Sequence, residues 1–421
     1  MLDKMFWADL HLDFLSVCLL TVWMIICMAY LWFSLYYNNA IYKARKKTGN
    51  VCANHAVERA PFISVVIALN GQRNVLSENL PAILDQEYPN FEVIVIDDGV
   101  SEEHAVTLQQ LQQHYHMLRV SMLPKSTLYI SRKKLSITLG VRAAKGEWIL
   151  LTEPDCAPNS PHWLMNMASK MNSDKDLVVG YSNYEDDSTC FCRRIRFERF
   201  MMQSVYARSI LSGRPLGADG CNLAFRREAF LRGKGFSGNV SLLRGEDVFL
   251  VDTFSKPGNV AYIYDKVAAI EQKVCSKKSW KNEKISRMQA CRFLKARSRC
   301  LLHLYDFSWI VNFLYGVIPL VYWAYGAYTV YGTSVVLSRY ILDFVVFLLY
   351  VTLPLVSLAV LNRSVRMVEN NSYGLYPLYY EMMRPFRRVY YEVMRFRNRR
   401  NMFRNVFFWD LSPTFLSLGR I

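Results

Sequence analysis

The chain has 421 residues, a formal net charge of +16 and a hydrophobic content of 52%. This length allows one large domain with additional segments, and the hydrophobic content is high for a soluble enzyme. The positive charge indicates an anionic partner: nucleic acid, a phosphate-bearing substrate or an anionic membrane surface. The ten cysteines are scattered, so we expect reduced thiols in a cytosolic setting rather than a disulfide framework.

The first apolar block, residues 14–37, has no charged residue over 24 positions. A helix of this length can cross the ~30 Å hydrocarbon core of a bilayer. A cleaved signal peptide fits less well, because Asp3, Asp9 and Asp13 precede an apolar run that is too long for one. Basic residues between positions 43 and 47 place the following chain in the cytoplasm. We therefore predict a membrane anchor over residues 1–40 and a basic linker over 41–60.

The next part, residues 61–300, alternates strand-like and helix-like segments. The apolar runs typical of buried strands include Phe62–Ala68, Glu92–Ile96, Leu118–Met122, Trp148–Leu151 and Leu177–Tyr181. Between the first four of these runs, apolar residues recur at helical spacing or the composition favours a helix. This alternation predicts an α/β domain built on a parallel sheet.

Acidic residues follow two of the predicted strands. Asp97 and Asp98 come directly after the second strand, and Glu153 and Asp155 flank Pro154, which ends the fourth. In open α/β sheets, ligands bind at the carboxyl ends of the strands. Two close carboxylates repel each other unless a cation or a donor lies between them. A solvated turn would explain one such pair, but two pairs at one edge favour a ligand site.

Two later segments are also candidates for function. Glu246 and Asp247 begin a helical pattern, where they could equally be simple complements of the helix dipole. Residues 276–299 form a strongly basic, helix-like stretch that could bind an anionic ligand, lie on a membrane surface, or do both.

The C-terminal part is again apolar. Residues 307–338 and 344–361 carry no charge, and each run is long enough to span a bilayer. Pro319 and Pro354 are tolerated in membrane helices. The basic residues lie mainly after the last run, which keeps both the catalytic part and the C-terminus inside. We predict two membrane helices over residues 301–362, giving about three in total. Residues 363–421 are predicted to be a basic amphipathic tail, with disorder as the alternative.

Several ordered motifs extend this prediction. They are Ala68-x-Asn70 after the first strand, VIDDG at 95–99, KKLSITLGVRAAKGE at 133–147, TEPDC at 152–156, CNLAFRRE at 221–228 and GED at 245–247. With them the chain resembles family-2 glycosyltransferases over residues 61–299, most closely the bacterial membrane-anchored members. The resemblance implies a GT-A fold, which is a mixed and mainly parallel sheet with helices on both faces. It also implies a nucleotide-sugar donor (UDP-, GDP- or similar) and a divalent cation, Mg²⁺ or Mn²⁺.

The resemblance also implies roles for individual residues. Its donor-side residues are Asp97, Asp98, Lys134, Glu153, Asp155, Lys284, Arg287, Gln289 and Arg292. Asp155 is implied as the direct metal ligand and Asp247 as the general base. Asp219, Asn222 and Glu246 are implied on the acceptor side. Glu153 stands where the family has Asp, and the extra methylene puts full activity in question.

The predicted function is therefore an inverting glycosyltransferase of the bacterial inner membrane, with its catalytic domain facing the cytoplasm. Its predicted acceptor is a lipid-linked or membrane-proximal saccharide. A processive polysaccharide synthase is one alternative, although three spans are few for a translocation channel. A catalytically inactive relative that acts as a scaffold is the other. Nucleic-acid binding is disfavoured, because the chain lacks a recognition motif and much of its basic surplus flanks the apolar segments.

Overall fold

The computed structural model describes residues 14–48, 60–69, 76–97, 103–123, 131–237, 245–330, 337–369 and 372–408. The strands in these residues are β1 (Ile63–Ala68), β2 (Phe91–Asp97), β3 (Leu118–Met122), β4 (Trp148–Thr152), β5 (Cys156–Pro158), β6 (Leu177–Gly180), β7 (Ser182–Tyr184), β8 (Leu223–Arg226), β9 (Val260–Ile263) and β10 (Ile270–Gln272).

Helices precede, separate and follow these strands. They are α1 (Phe14–Asn38), α2 (Ala40–Thr48), α3 (Leu76–Leu84), α4 (Glu103–His114), α5 (Arg132–Ala143), α6 (Trp163–Ala168), α7 (Cys190–Leu211), α8 (Arg227–Arg232), α9 (Glu246–Phe254), α10 (Lys277–Ala290), α11 (Ala296–Val330), α12 (Leu337–Val365) and α13 (Tyr376–Phe408).

The main sheet has seven strands within the described residues, in the order β3-β2-β1-β4-β8-β6-β9. Strands β3, β2, β1 and β4 are parallel to one another, and β6 is parallel to β9. Strand β8 runs antiparallel to both of its neighbours, β4 and β6. The carboxyl ends of β1, β2 and β4 therefore meet at one edge. This edge carries Asp97 at the end of β2 and the 153–155 segment just after β4.

Both faces of the sheet are buried under helices. Alternate residues of β1 divide between two cores: Val65 packs in a core with α3 and α6, and Val66 packs in a core with α5 and α7. The central strands are fully buried along their length, which explains why they read as unbroken apolar runs rather than alternating ones. The predicted fold class, a mixed and mainly parallel sheet with helices on both faces, is confirmed.

A second, smaller sheet lies beside the carboxyl end of β4, in the order β5-β10-β7. β10 pairs antiparallel with β5, so that Gln272 stands opposite Cys156. It pairs in parallel with β7, where the same residue stands opposite Tyr184. The register thus brings Gln272 next to Asp155, which immediately precedes β5.

Within the part of the chain that the structure describes, two helices are long and apolar enough to cross a membrane, over Leu15–Asn38 and Ile341–Val365. The apolar part of α11 is shorter, from Ile310 to Gly326, so the three predicted spans correspond to two full-length candidates and one shorter segment. Helix α13 covers most of the predicted tail and exposes an apolar face that includes Phe386 and Phe396. Residues 409–421 of that tail lie outside the described residues.

The two prolines within these apolar helices leave carbonyls that side chains satisfy. A proline has no N–H and so frees the carbonyl of the residue four positions earlier. Pro319 frees the carbonyl of Tyr315, which accepts a hydrogen bond from Trp23 Nε1 at 3.2 Å. Pro354 frees that of Tyr350, which accepts from Tyr315 Oη at 2.9 Å. These two bonds join α1 and α12 to α11, and in a bilayer the hydrocarbon would offer no replacement donor.

A buried carboxylate joins the end of α12 to the α/β domain. Glu369 Oε2 lies 3.0 Å from Arg196 Nη2 on α7. Its Oε1 accepts hydrogen bonds from Tyr181 Oη and Asn183 Nδ2, both at 2.5 Å. A buried charge held by a cation and two donors is costly to displace. The apolar helices are therefore fixed to the domain.

Replacing Tyr315 with Phe tests the role of these carbonyl bonds. The variant leaves the Tyr350 carbonyl without its side-chain donor, so we expect the free energy of unfolding to fall by about 1 kcal/mol. Pro354→Ala restores a backbone N–H at the right position, and in that background Tyr315→Phe should cost much less. Unfolding of the four proteins in detergent gives the double-mutant cycle. Additive losses would show that the Tyr315 hydroxyl does not compensate for Pro354.

Candidate active site

The carboxylate of Asp155 is held by a neutral amide. Gln272 Nε2 lies 3.0 Å from each of its two oxygens, and Lys273 N donates to its backbone carbonyl at 2.8 Å. Burial raises the pKa of Asp155 to about 6, and the charge of Glu153 adds to this increase. The side chain is thus fixed and nearly enclosed, and its direct donor carries no positive charge. A bound cation would therefore be stabilising there.

Gln272 in turn connects Asp155 to a second carboxylate. Its Oε1 accepts from Arg199 Nη1 at 2.6 Å, while Arg199 Nε lies 3.2 Å from Asp219 Oδ2. The guanidinium stacks 3.8 Å from the ring centre of Tyr184. Burial by itself would raise the pKa of Asp219, but Arg199 and Arg287 hold it below its ordinary value. Asp219 therefore stays ionised, and Arg199 is fixed between Asp219 and Gln272.

Asp247 lies in the first turn of α9, after Gly245 with a φ of 96°. A side chain at this glycine would be strained by the left-handed φ and would also meet the Ala290 Cβ at 2.6 Å. Asp247 Oδ1 accepts from the amide of Val248 at 2.8 Å, and Oδ2 lies 3.3 Å from Arg287 Nη2. Burial raises the pKa of Asp247 to about 6, although Arg287 opposes this increase. The carboxylate therefore titrates close to neutral pH.

A lysine bridges the two acidic motifs. Lys133 Nζ lies 2.5 Å from Glu153 Oε1 and 2.5 Å from Glu246 Oε1. Burial favours the neutral amine, yet the two carboxylates outweigh it and raise the pKa of Lys133 well above its ordinary value. A Cβ added at Gly220 would lie 3.6 Å from both Glu153 Oε1 and the Asp247 Cβ. The segments carrying residues 153, 220 and 247 thus converge on one cleft.

Lys134, the predicted donor-side lysine, lies beside two aromatic rings and is also close enough to Glu246 and Asp247 for their charges to favour its ammonium form. Its Nζ lies 5.2 Å from the ring centre of Phe249 and 5.9 Å from that of Phe236. Burial lowers the pKa of Lys134 to about 8. Of the two adjacent lysines, the bridging position between Glu153 and Glu246 is taken by Lys133.

The other predicted residues are distributed unevenly. Asn222 is fully buried, with its amide donating to the carbonyls of Tyr181 and Ala268 and its oxygen accepting from Trp163. It therefore supports the floor of the cleft. Asp97 is buried at the end of β2, and Asp98 lies outside the described residues.

Among the predicted residues of the basic stretch, Arg287 reaches the carboxylates. Lys284 instead pairs with Glu198 and lies 4.4 Å from the ring centre of Tyr391. Gln289 is half-buried and Arg292 is exposed at the end of α10. These three residues are therefore not seen to contact the cleft carboxylates, and their donor-side roles stay predictions.

Lys133, Arg199 and Gln272 were missed as site residues by the sequence interpretation. Lys133 and Lys134 belong to the same sequence motif, and the direction in which each side chain leaves helix α5 determines which of them bridges the carboxylates. Arg199 lies in the middle of α7 with no distinguishing pattern, and Gln272 ends a three-residue strand. A short edge strand leaves almost no periodic signal in a sequence.

Comparison with known proteins identifies the domain. Residues 64–233 match the family described as Glycosyl transferase family 2. The hyaluronan synthase of Pasteurella multocida is 28% identical over 148 residues, which cover 34% of this chain and 14% of that protein. Glycosyltransferase GlyG of Streptococcus pneumoniae is 24% identical over 152 residues, covering 36% and 49% respectively. The chain therefore spans less than half the length of these relatives.

Two solved structures are similar to parts of this one. The mannosyltransferase PcManGT from Pyrobaculum calidifontis, in complex with GDP-Man and Mn²⁺, aligns with a TM-score of 0.49 at 16% identity, covering 83% of this chain and 98% of that one. TarS of S. aureus aligns with a TM-score of 0.41 at 15% identity, covering 59% and 43%.

Replacing Lys133 with Met tests the bridge between the acidic motifs. It leaves Glu153 and Glu246 facing each other without their shared ammonium, so we expect a loss of about 3 kcal/mol in the free energy of unfolding at pH 8. The matched control is Lys134→Met, which places an apolar chain beside Phe249 and should cost under about 1 kcal/mol. Equal losses in the two variants would contradict the bridge.

Proposed function

The chain carries a family 2 glycosyltransferase domain over residues 64–233, and we propose that it is an inverting enzyme that uses a nucleotide-sugar donor. The proposed acceptor is a lipid-linked or membrane-proximal saccharide. The observation that carries the proposal is that two buried carboxylates have partners of different charge. Asp155 is held by the neutral amide of Gln272, whereas Asp247 is paired with Arg287. The first suits a cation-dependent donor side and the second an ionised base.

The residues of the cleft fit a divalent cation. No group of three or more His, Cys, Asp or Glu side chains that could hold a metal occurs among the described residues. Mg²⁺ and Mn²⁺ do not need such a group, because one or two carboxylates commonly share the ion with substrate phosphates. Asp155 would hold the ion, with Glu153 close by and already paired with Lys133. When bound, the ion would supply positive charge to neutralise the departing diphosphate.

The remaining chemistry rests on the chain's own residues. Asp247, when ionised, accepts the proton of the acceptor hydroxyl as that oxygen forms its bond to the anomeric carbon. The bond from this carbon to the diphosphate breaks on the opposite side, so the configuration inverts. Arg287 favours the anionic form of Asp247 and orients it, and Asp219 Oδ1 lies 4.0 Å from the same Nη2 atom of Arg287. We propose that Lys133 contributes positive charge on the donor side, and that Asp97, Asp98 and the other predicted donor residues complete it.

A processive polysaccharide synthase is the second candidate. It is favoured by the similarity to hyaluronan synthase and to the chondroitin synthase of Pasteurella multocida, which is 24% identical over 167 residues. Those two relatives are much longer proteins, of which this chain covers 14% and 16%. The length of the product formed by the purified protein separates single addition from polymerisation, and an absence of any transfer would favour the scaffold alternative.

Two substitutions with opposite expected effects test the proposed roles. Asp247→Asn keeps a helix-capping group but cannot accept a proton, so turnover should fall by at least about 10²-fold while nucleotide-sugar affinity stays nearly unchanged. Asp155→Ala should instead weaken nucleotide-sugar binding and remove its dependence on Mn²⁺. Calorimetric binding with and without Mn²⁺, beside transfer rates, distinguishes the two.

The pH dependence provides a further check on the same assignment. Because the pKa of Asp247 is raised to about 6, protonation should suppress kcat/KM below that pH, and kcat/KM should rise as pH increases through 6. The residual activity of Asp247→Asn should lack this acidic limb. Near-normal turnover in Asp247→Asn would show that Asp247 is not the base and acts only as a structural group at the start of α9.

We propose that the enzyme is a multi-pass protein of the bacterial inner membrane with its transferase domain in the cytoplasm. The support is the basic run after α1, Lys43 to Lys47, together with the arginines that follow α12. A reporter inserted at Asn282, on the half-exposed helix α10, should be active on the cytoplasmic side. A periplasmic signal at this position would contradict the orientation.

A further inference from the structure

A cavity of about 560 Å³ lies among the apolar helices, outside the cleft described above. It is lined by α1, α11, α12 and the first turns of α13, with Met201 of α7 as a wall from the transferase domain. Its volume lies in the range of sites that hold small organic ligands. Most lining side chains are apolar or aromatic, including Phe33, Leu320 and Leu358. A chain-like apolar ligand fits such a lining.

The cavity occupies one end of the candidate spans. The lining residues of α1 run from Tyr30 to Asn38, the last third of that helix, and those of α12 run from Tyr350 to Leu361. Both segments lie at the helix ends that lead into the transferase domain. In a bilayer crossed by the candidate spans, the cavity lies at the depth of the leaflet on the side of this domain, where the hydrocarbon chains of lipids are found.

Polar groups line part of the same cavity. Asn38 Nδ2 donates to Ser34 Oγ at 3.1 Å and to Ser357 Oγ at 3.2 Å. Farther along, Asn312 Nδ2 donates to Glu381 Oε2 at 2.7 Å. An apolar chamber with polar groups at its wall matches an amphiphile better than a purely apolar molecule.

Helix α7 connects the cavity to the active site. Met201 lies at the cavity, and Arg199, two residues earlier and so on a different face of the helix, holds Gln272 and Asp219 in the cleft. The two sites are thus separated by about the 10 Å thickness of one helix. A lipid whose chain lies in the cavity would place its head group near the domain surface beside the cleft.

We propose that this cavity binds the hydrocarbon chain of the lipid-linked acceptor and so positions its head group for Asp247. This inference rests on the proposed function, since it specifies the acceptor as a membrane lipid. It requires no movement of the apolar helices, because the chamber is already formed between them.

Gly316 offers a direct way to block the cavity. It lines the chamber, and a Cβ built at this position meets no heavy atom within 4 Å. Gly316→Phe therefore projects a ring into open space, and Gly316→Leu is a smaller alternative that fills the same space if the first variant fails to fold. Val321→Phe is the matched control, because Val321 lies on the same helix, is 48% exposed and does not line the cavity.

The test uses the full chain in nanodiscs and a diazirine-bearing dodecyl phosphate as the probe. After illumination, labelled peptides should include the cavity-lining parts of α1, α11 and α12. Labelling of these peptides should fall by at least about tenfold in Gly316→Phe and stay at the original level in Val321→Phe. Equal labelling in all three proteins, or labelling confined to the outer faces of the helices, would overturn the proposal.

A second measurement separates this inference from the proposed function. Gly316→Phe should raise the KM for a lipid-linked acceptor and leave nucleotide-sugar hydrolysis in water unchanged. If transfer to a soluble saccharide proceeds while the cavity takes no label, the enzyme assignment stands and the cavity inference fails. If the cavity takes label but no nucleotide sugar reacts, the proposed function fails instead.

Discussion

The cleft depends on the neutralisation of carboxylates that are buried close together. Asp155, Asp219, Glu246 and Asp247 are each 6% exposed or less, and ionised groups in such surroundings are unstable unless cations or donors compensate them. Lys133, Arg199 and Arg287 supply that charge from helices α5, α7 and α10. These ion pairs also hold the fold together, because each cation connects segments that are far apart in the chain. Loss of one cation would leave a buried charge unpaired and loosen more than one element.

The compensation is unequal, and this inequality is what makes the cleft chemically useful. Asp219 has two guanidinium groups and stays anionic as a fixed structural charge. Asp155 has a neutral amide as its direct donor, and so retains an attraction for an external cation. Burial raises the pKa of Asp247 to about 6, and its one close guanidinium, Arg287 at 3.3 Å, offsets that increase only in part. Three buried carboxylates of similar chemistry therefore differ in role because their partners differ in charge and distance.

In the apolar helices the groups that need partners are backbone carbonyls rather than charged side chains. Pro319 and Pro354 free two carbonyls, and Trp23 and Tyr315 satisfy them. These bonds hold the helices in a fixed arrangement, and Glu369 fixes that arrangement to the transferase domain. A preformed chamber between the helices can persist because the surrounding backbone is fully paired at these points. The transferase domain and the apolar helices thus form one connected structure around α7.

Local pattern determined much of this protein from its sequence. Unbroken apolar runs indicated the buried strands, Pro154 ended β4, and the placement of Glu153, Asp155 and Asp247 after or before regular elements followed from spacing. Charge-free stretches indicated the apolar helices. Only the tertiary structure decided that Lys133 rather than Lys134 bridges Glu153 and Glu246, that Gln272 and Arg199 support Asp155, and that Lys284 pairs with Glu198. These outcomes depend on helix phase and on pairings between residues more than 70 positions apart, such as Arg199 with Gln272. A one-residue change of phase rotates a helical side chain by about 100°, and local sequence carries no record of which partner it will meet.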